Sequence, residues 1–244
     1  MSSQDAQRAE RLLEALDPDQ RSVAQFISGP MAVLAGAGTG KTRAITYRIA
    51  YGVACGVYEP TNVLAVTFTK RAAVEMRERL TALGVPGVQA RTFHSAALRQ
   101  LQYFWPSAIG GNMPPLIEHK ASLISAAAAR IGIRADKALV RDLAAEVEWS
   151  KVSMLDADAY AEAVRANRRT PPGDLSADDV LALMDAYQEA KEDRGVLDFE
   201  DVLVLTAGIL QDYPAIAQRI HRQYRSFVVD EYQDVSALQH HVLN

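Results

Sequence analysis

Apolar residues recur along this chain in two patterns. Short, continuous apolar runs bounded by turn residues are typical of strands in a buried parallel sheet, and apolar residues spaced three or four positions apart are typical of helices packed against it. Four runs predict strands: Met31–Leu34, Asn62–Thr67, Val88–Thr92 and Arg225–Val229. Because helical patterns separate the first three runs, we predict an α/β fold with a parallel sheet and right-handed crossovers.

Capping residues mark where two of the helices begin. Asp17, Pro18 and Gln20 suit the N-cap, the first helical position and the third position of an early helix, where a capping box has Glu or Gln. Thr69 suits the N-cap of a helix over residues 70–80, whose apolar residues form one stripe. Each helix start lies close to a segment that carries candidate chemistry.

The pattern changes in the middle of the chain. Residues 105–195 contain no convincing strand, and helical patterns cover residues 120–131, 137–151, 156–167 and 176–194. A further helix is predicted over residues 202–210, before the last strand. We therefore predict an all-helical insertion at residues 105–195, between a first α/β part at residues 1–104 and a second α/β part at residues 196–244.

Composition and charge restrict the classes of protein and partner. The chain has 244 residues, of which 49% are hydrophobic and 23% charged, as in ordinary globular proteins. Its single cysteine excludes an internal disulfide framework and fits a reducing cytoplasm. No apolar stretch reaches the roughly 18 residues of a membrane span, and the first residues lack a signal peptide's apolar core. With a net charge of −4, a nucleic-acid site must be a local basic surface.

A glycine-rich segment follows the first predicted strand and precedes a helix. In that context the backbone N–H groups of such a turn, together with the positive end of the helix dipole, bind phosphates. Lys41 would contact the β- and γ-phosphates, and the Thr42 hydroxyl would ligate Mg²⁺. The usual pattern begins with Gly, where this chain has Ala35, which is tolerable if its φ is negative. The candidate phosphate-binding residues are Ala35, Gly36, Ala37, Gly38, Thr39, Gly40, Lys41 and Thr42.

Two carboxylates follow the last predicted strand. Asp230 would hold the Mg²⁺ bound by Thr42, and Glu231 would orient the attacking water as a general base. Carboxyl ends of parallel strands share one edge of a sheet, so this pair can meet the glycine-rich turn. Separately, the two segments could be a turn with a surface lysine and an acidic helix cap. Together they predict the binding or hydrolysis of a nucleoside triphosphate.

The motifs resemble those of the UvrD/Rep/PcrA group of superfamily-one DNA helicases along nearly the whole chain. The matching segments are Leu16–Arg21 (Q motif), Ala35–Arg43 (motif I), Ala65–Ala73 (motif Ia), Thr92–Ser95 (motif Ib), Leu197–Asp201 (a further DNA-side motif) and Val229–Asp234 (motif II). Residues 100–105 and 148–151 most resemble the second UvrD-like helicase of actinobacteria. The resemblance implies a RecA-like P-loop fold, with the helical insertion as subdomain 1B and the rest as subdomain 1A. It also implies ATP and Mg²⁺ as cofactors.

The resemblance also assigns roles to individual residues. Gln20 would contact the adenine edge, Arg43 would pack near the base, and Gln233 would couple the γ-phosphate to DNA binding. The loops after the strands would contact single-stranded DNA, or a duplex with a single-stranded tail, through Thr67, Phe68, Lys70, Thr92 and His94. These DNA candidates have structural alternatives, because Phe68 could be a core residue, His94 a packed or capping residue, and Lys70 a solvated charge.

Helicases of this group are much longer than 244 residues. By resemblance, the second motor domain with its arginine finger would follow this sequence, so we expect slow hydrolysis by this chain alone. The strand after motif II would lie between the strands of motifs I and II, and without it we expect a gap or an unpaired edge.

The leading hypothesis is therefore the N-terminal, ATP-binding half of a 3′-to-5′ DNA helicase or single-stranded DNA translocase of repair or recombination, located in the cytoplasm. One alternative is a helicase–nuclease subunit of the RecB or AddA type. Another is a catalytically idle module that binds ATP, single-stranded DNA or a partner. A phosphate-loop ATPase unrelated to DNA would leave the other motifs unexplained.

Overall fold

A computed structural model describes residues 3–36 and 38–243 of the chain. The helices and strands of these residues are α1 (Ser3–Glu14), α2 (Pro18–Gln25), α3 (Lys41–Ala54), β1 (Val63–Thr67), α4 (Lys70–Ala82), β2 (Gln89–Thr92), α5 (Phe93–Ala108), α6 (Ala121–Arg130), α7 (Lys137–Val152), α8 (Ala157–Arg165), α9 (Ala177–Arg194), α10 (Asp201–Asp212), α11 (Pro214–Gln223), β3 (Ser226–Val229) and α12 (Ala237–Leu243). None of the helices in this part of the chain is long and apolar enough to cross a membrane.

The chain divides into two compact units. The first comprises the described residues of Met1–Ala96 together with Ala215–Asp234, and the second those of Ala97–Pro214 and Val235–Asn244. We call them the sheet unit and the helical unit, because all three strands belong to the first. The helical unit includes α10, which the sequence analysis assigns to the α/β part. The assignment of subdomains 1A and 1B remains a prediction.

The sheet is small and wholly parallel, in the order β2-β1-β3. The central strand pairs on both sides, with Ala65 opposite Ala90 on β2 and opposite Val228 on β3. All five residues of β1 are buried, which explains their continuous apolar pattern. The predicted α/β class with a parallel sheet is thus confirmed, and all three strands deliver their carboxyl ends to one edge.

The first predicted strand is wrong. Residues 31–34 adopt no strand conformation, and the Leu34 side chain is 96% exposed. An apolar run indicates a segment suited to a sheet interior, but a strand also needs a neighbour that supplies hydrogen bonds. The edges of the described sheet are β2 and β3, and neither pairs with this run. The segment therefore reaches the glycine-rich turn as irregular backbone.

The core of the sheet unit holds α3 and α4 beside the sheet. Ile49 and Ala50 of α3 and Met76 and Leu80 of α4 pack in one buried cluster with Ala65 of β1. The alanines allow close approach of the helix to the strand, so the start of α3 is fixed relative to the sheet. This packing determines where the side chains of Lys41 and Thr42 lie.

Helix caps occur where the sequence predicts them. The Asp17 carboxylate accepts a hydrogen bond from the Gln20 backbone N–H at 2.8 Å, and the Thr69 hydroxyl accepts one from the Ala72 N–H at 3.1 Å. The Gln20 side chain does not complete a capping box, because its amide donates to the Thr39 carbonyl oxygen instead. This contact ties the start of α2 to the glycine-rich turn.

The helical unit has its own core. The four helices predicted between residues 120 and 194 form as α6 to α9. Ile124 of α6, Leu143 of α7, and Leu183 and Tyr187 of α9 pack in one buried cluster. The helices α1 and α11, which lie outside this stretch, have no counterpart in the sequence prediction.

Candidate nucleotide-binding site

The glycine-rich turn depends on two residues with left-handed backbone. Gly38 has φ 78° and Gly40 has φ 85°, and α3 begins directly after Gly40. A Cβ on Gly40 would also lie 2.5 Å from the Gln20 amide nitrogen. The turn is closed by the Thr39 hydroxyl, which donates to the Gly36 carbonyl oxygen at 2.8 Å. The positive φ favours glycine at both positions, and at Gly40 a side chain would also displace the Gln20 amide.

The remaining residues of the turn are less informative. The described residues that combine a side chain with a positive φ are Met154, Asn167 and Glu231, so Ala35 satisfies the condition set for it. Ala37 lies outside the described residues. Its predicted contribution to phosphate binding stays a prediction.

The first turn of α3 meets the end of β3. The Thr42 hydroxyl donates to an Asp230 carboxylate oxygen at 3.3 Å. The Lys41 ammonium lies 3.0 Å from a Glu231 carboxylate oxygen. These pairs are 188 and 190 residues apart in the sequence, and the fold brings them together at the carboxyl edge of the sheet. The structure thus assembles a lysine, a hydroxyl and two carboxylates beside a glycine-rich turn.

Glu231 has a left-handed backbone, with φ 54°. This conformation costs a non-glycine residue about 1–2 kcal/mol. Its N–H donates to the Asp230 carboxylate at 3.1 Å, and the Gln233 amide donates to the Glu231 carboxylate at 2.5 Å. The strained turn directs the two adjacent carboxylates to different partners, Asp230 to Thr42 and Glu231 to Lys41.

The environments of the two carboxylates shift their pKa values in opposite directions. Burial, followed by the charge of Glu231, raises the pKa of Asp230. The hydrogen bonds from Gln233 and Lys41 lower the pKa of Glu231. A buried carboxylate with a raised pKa is stabilised in its charged form by a cation, and Mg²⁺ prefers such oxygen ligands. The Thr42 hydroxyl and Asp230 thus fit a Mg²⁺ ion that is also held by phosphate oxygens.

A protein-only metal centre is not indicated. The described part of the chain contains no cluster of three or more His, Cys, Asp or Glu side chains suited to hold a metal. Mg²⁺ bound with a nucleotide does not need one, because it takes few protein ligands and retains waters and phosphates.

A cavity of about 1040 Å³ opens beside the turn. The cavity is lined by residues of the turn, of α3 and of the segment after β3, which include Gly36, Gly38, Gly40, Lys41, Thr42, Arg43, Tyr47, Glu231 and Gln233. The Gln20 amide lies 3.3 Å from the Thr39 carbonyl oxygen, and the Arg43 guanidinium donates to the Ala15 carbonyl oxygen at 2.7 Å. The two residues predicted to contact the base are therefore both tied to this region, at the N-terminal side of α2 and α3.

The candidate DNA residues lie at the carboxyl ends of β1 and β2. Thr67 and Thr92 are paired in the strand register, Thr67 is buried, and its hydroxyl donates to the Thr69 carbonyl oxygen. The Phe68 ring is half-buried, 5.7 Å from the Phe93 ring. Lys70 is exposed at the start of α4.

His94 is half-buried at the start of α5, and burial lowers its pKa to about 4. At neutral pH its imidazole is therefore uncharged. It could contact DNA as a hydrogen-bonding group and not as a cation. The predicted DNA role of all five residues stays a prediction.

The helical unit contains a buried ionic cluster that is not among the sequence predictions. Lys151 contacts Asp198 at 2.6 Å and Asp201 at 2.7 Å, and Lys191 contacts the same two carboxylates. The Tyr187 hydroxyl donates to Asp198 at 3.0 Å. The two aspartates belong to the segment that resembles a DNA-side motif, yet their side chains are buried. The three-residue spacing of the two aspartates is the local signal that could have indicated their shared role, and no local pattern relates them to the two lysines.

Comparison with known proteins matches the sequence of this chain to a helicase family. The sequence pattern of the UvrD/REP helicase N-terminal domain covers residues 16–244. ATP-dependent DNA helicase UvrD2 of Mycobacterium tuberculosis is 47% identical over 96% of this chain and 35% of its own length. UvrD1 of Mycobacterium leprae is 34% identical over 95% of this chain and 30% of its own length. PcrA of Leuconostoc citreum is 30% identical over 96% of this chain and 31% of its own length.

The chain thus spans about a third of the length of these curated relatives. The resemblance inferred from the motifs is confirmed, including its actinobacterial UvrD2-like character. The contacts of Lys41 with Glu231 and of Thr42 with Asp230 bring together the segments that resemble motifs I and II. The chain belongs to the UvrD/REP helicase family, and the part of the family that it matches is the N-terminal domain.

Proposed function

We propose that this chain is the ATP-binding part of a 3′-to-5′ DNA helicase, a translocase on single-stranded DNA that acts in repair or recombination. The observation that carries the proposal is the approach of Thr42 to Asp230 and of Lys41 to Glu231 at the end of the glycine-rich turn. The relatives are named ATP-dependent DNA helicases, which supports the choice of ATP and DNA. A RecA-like arrangement of subdomain 1A is part of the proposal.

The proposed roles follow from charge and position. The turn and Lys41 bind the phosphates, and binding exchanges the Glu231 carboxylate on Lys41 for phosphate oxygens. The released Glu231 carboxylate orients the attacking water. Thr42 and Asp230 hold Mg²⁺, which when bound neutralises charge on the β- and γ-phosphate oxygens. Gln233, which donates to Glu231, is placed to sense that exchange.

Single-stranded DNA is proposed to lie along the same edge of the sheet. Half-buried Phe68 would present part of its ring to a base, and stacking of that kind contributes about 1–3 kcal/mol per base. Exposed Lys70 would contact a phosphate, whereas neutral His94 would donate or accept a hydrogen bond. Because Asp230 follows β3, the strand next to β1, DNA and ATP would both bind at the carboxyl edge of the sheet.

The test measures Mg²⁺-ATP binding by calorimetry and ATP hydrolysis with and without single-stranded DNA. The unaltered chain should bind ATP. Lys41→Ala should lose that binding, and Glu231→Gln should keep the binding but lose turnover. Absence of ATP binding by the unaltered chain, or equal binding by Lys41→Ala, would refute the proposal.

A second candidate is a module that binds ATP and single-stranded DNA with little turnover. The chain spans about a third of the length of its helicase relatives. In the resembled group, ATP lies between two motor domains. Binding of both ligands without DNA-stimulated hydrolysis would support this candidate for the isolated chain.

A further inference from the structure

Tyr47 lines the candidate nucleotide cavity but belongs to none of the motifs identified in the sequence. It follows Arg43 by one turn of α3, and both residues line the cavity beyond the glycine-rich turn. The Arg43 guanidinium carbon lies 5.0 Å from the centre of the Tyr47 ring. This distance is within the range of a cation–π interaction.

Two contacts together restrict the Arg43 side chain. Its guanidinium donates to the Ala15 carbonyl oxygen at 2.7 Å and lies over the Tyr47 ring. Arg43 is otherwise exposed, and a long exposed side chain has many rotamers of similar energy. A hydrogen bond and a ring contact from different directions reduce that freedom before a ligand arrives.

The Tyr47 ring is itself anchored. It is half-buried and packs against the core cluster that holds α3 to the sheet. The ring therefore offers Arg43 a fixed surface at the wall of the cavity. Arg43 alone, at an exposed position, would have no such support.

This pair lines the cavity about one and two helical turns along α3 from the glycine-rich turn. Gly36, Gly38, Gly40 and Lys41 define the phosphate end. Arg43, Tyr47, Ala82 and Leu83 line the same cavity, and Tyr47 lies six residues after Lys41, about 9 Å along the axis of α3. A nucleoside attached to a triphosphate at the glycine-rich turn would extend along this wall.

We infer that Tyr47 is a positioning residue for the nucleoside of bound ATP, which acts by holding the Arg43 guanidinium in place. The inference rests on the proposed function, because it requires ATP in this cavity. It assigns to Tyr47 a role in affinity for the nucleoside and none in affinity for the phosphates.

The test compares two ligands that share the phosphates. A non-hydrolysable ATP analogue contains the nucleoside, and inorganic tripolyphosphate does not. Titration calorimetry with Mg²⁺ should show that Tyr47→Leu weakens binding of the analogue about three- to fivefold, the range of an exposed cation–π contact. Tripolyphosphate binding should change less than twofold. Tyr47→Phe, which keeps the ring, should retain most of the affinity for the analogue.

A double-mutant cycle with Arg43→Ala tests whether Tyr47 acts through Arg43. In the Arg43→Ala background, Tyr47→Leu should have no further effect on binding of the analogue. Tyr47→Met provides a second apolar replacement if Tyr47→Leu does not fold, as judged by circular dichroism. Equal losses for both ligands, or no loss for the analogue, would overturn the inference. If the unaltered chain binds tripolyphosphate but not the analogue, the inference and ATP as substrate both fail; if it binds neither, the proposed function itself fails.

Discussion

The contact between Lys41 and Glu231 is informative about function because it contributes little to stability. The two side chains are 22% and 43% exposed, and ion pairs so accessible to water contribute about 0–1 kcal/mol. A lysine and a glutamate 190 residues apart are therefore not held together by their own attraction. They meet because α3 and β3 are fixed by the core, which leaves both charges available to a ligand.

Lys41→Ala should accordingly separate stability from binding. We expect the free energy of unfolding, followed by circular dichroism in urea, to change by less than about 1 kcal/mol. Calorimetry should show loss of ATP binding, because the positive charge facing the phosphates is gone. Arg141→Ala is a matched control, since Arg141 forms an exposed pair with Asp142 at 2.9 Å in the helical unit. A large loss of stability in Lys41→Ala alone would assign the pair a structural role.

His94 should make stability fall in mild acid. Its pKa is about 4 in the folded chain because burial disfavours the charged form, against 6.5 in a model peptide. Between these values the unfolded chain binds a proton that the folded chain does not. Stability should therefore be complete above pH 6.5 and decline towards pH 4, by at most about 1.4 kcal/mol per pH unit.

Thermal unfolding between pH 4 and pH 7 measures this contribution. His94→Gln should flatten the part of the profile that His94 causes. His221→Gln, at an exposed position of α11, is the control for replacing a histidine. Identical profiles for His94→Gln and the unaltered chain would contradict the assigned effect of burial.

Among the helices, α9 ends at a glycine whose backbone is left-handed. Gly195 caps this helix with φ 59°, and a Cβ added there would meet no atom within 4 Å. Gly195→Ala should therefore destabilise the helical unit by about 1 kcal/mol through conformation alone. Gly208 lies inside α10 and its Cβ would also meet nothing, so Gly208→Ala should stabilise by about 0.5–1 kcal/mol.

The same substitution should thus have opposite effects at the two glycines. Tryptophan fluorescence in urea is a suitable measurement, because Trp105 and Trp149, the two tryptophans of the chain, both belong to the helical unit. Equal effects at both positions would show that the left-handed conformation of Gly195 does not control the end of α9.

The buried ionic cluster joins α7, α9 and the start of α10. Lys191 is 1% exposed, and burial together with the charge of Lys151 lowers its pKa. The charges of Lys151 and Lys191 offset the effect of burial on Asp198 and hold its pKa below the usual value. Two lysines and two aspartates compensate one another, so the cluster tolerates burial only as a complete set.

Lys191→Met should therefore destabilise the helical unit strongly, by about 3–5 kcal/mol, because it leaves a carboxylate buried without compensation. Tryptophan fluorescence in urea again provides the measurement. Lys137→Met, at an exposed position of the same unit, should change the unfolding free energy by less than about 0.5 kcal/mol. A loss of less than 1 kcal/mol in Lys191→Met would mean that the aspartates are satisfied without Lys191.

These elements show what the sequence could and could not predict. Caps at Asp17 and Thr69 are local, since donor and acceptor are three residues apart, and both are predicted correctly. The glycine-rich turn and the acidic pair are likewise recognisable from short segments. The partners of Lys191 are not, because burial of a lysine depends on carboxylates that only the tertiary fold brings near.

The strand predicted at Met31–Leu34 does not form, for a related reason. Its apolar pattern indicates a buried strand, but pairing depends on a neighbour that the run does not contain. In the described sheet, β1 has neighbours on both sides, and β3 is paired only with β1.

For the whole molecule, the net charge restricts where DNA can bind, and the resemblance to helicases restricts where ATP can bind. A chain with a net charge of −4 has no general affinity for DNA, so binding must rest on the local groups at the carboxyl edge of the sheet. The relatives are about three times as long, and the resembled group places ATP between two motor domains. The resemblance predicts that a second motor domain accelerates hydrolysis of the ATP that this chain binds.

Joining this sequence to the unmatched remainder of Mycobacterium tuberculosis UvrD2 tests that hypothesis, since the matched parts are 47% identical. Turnover with single-stranded DNA should rise about 10³- to 10⁵-fold over that of the present chain, the contribution of an arginine finger. ATP affinity should change much less, because Lys41, Thr42 and Asp230 are present in both proteins. Lys41→Ala in the joined protein is the control and should abolish the gain, since added segments cannot replace the phosphate contact. Equal turnover by both proteins would show that the present chain already contains every group that hydrolysis requires.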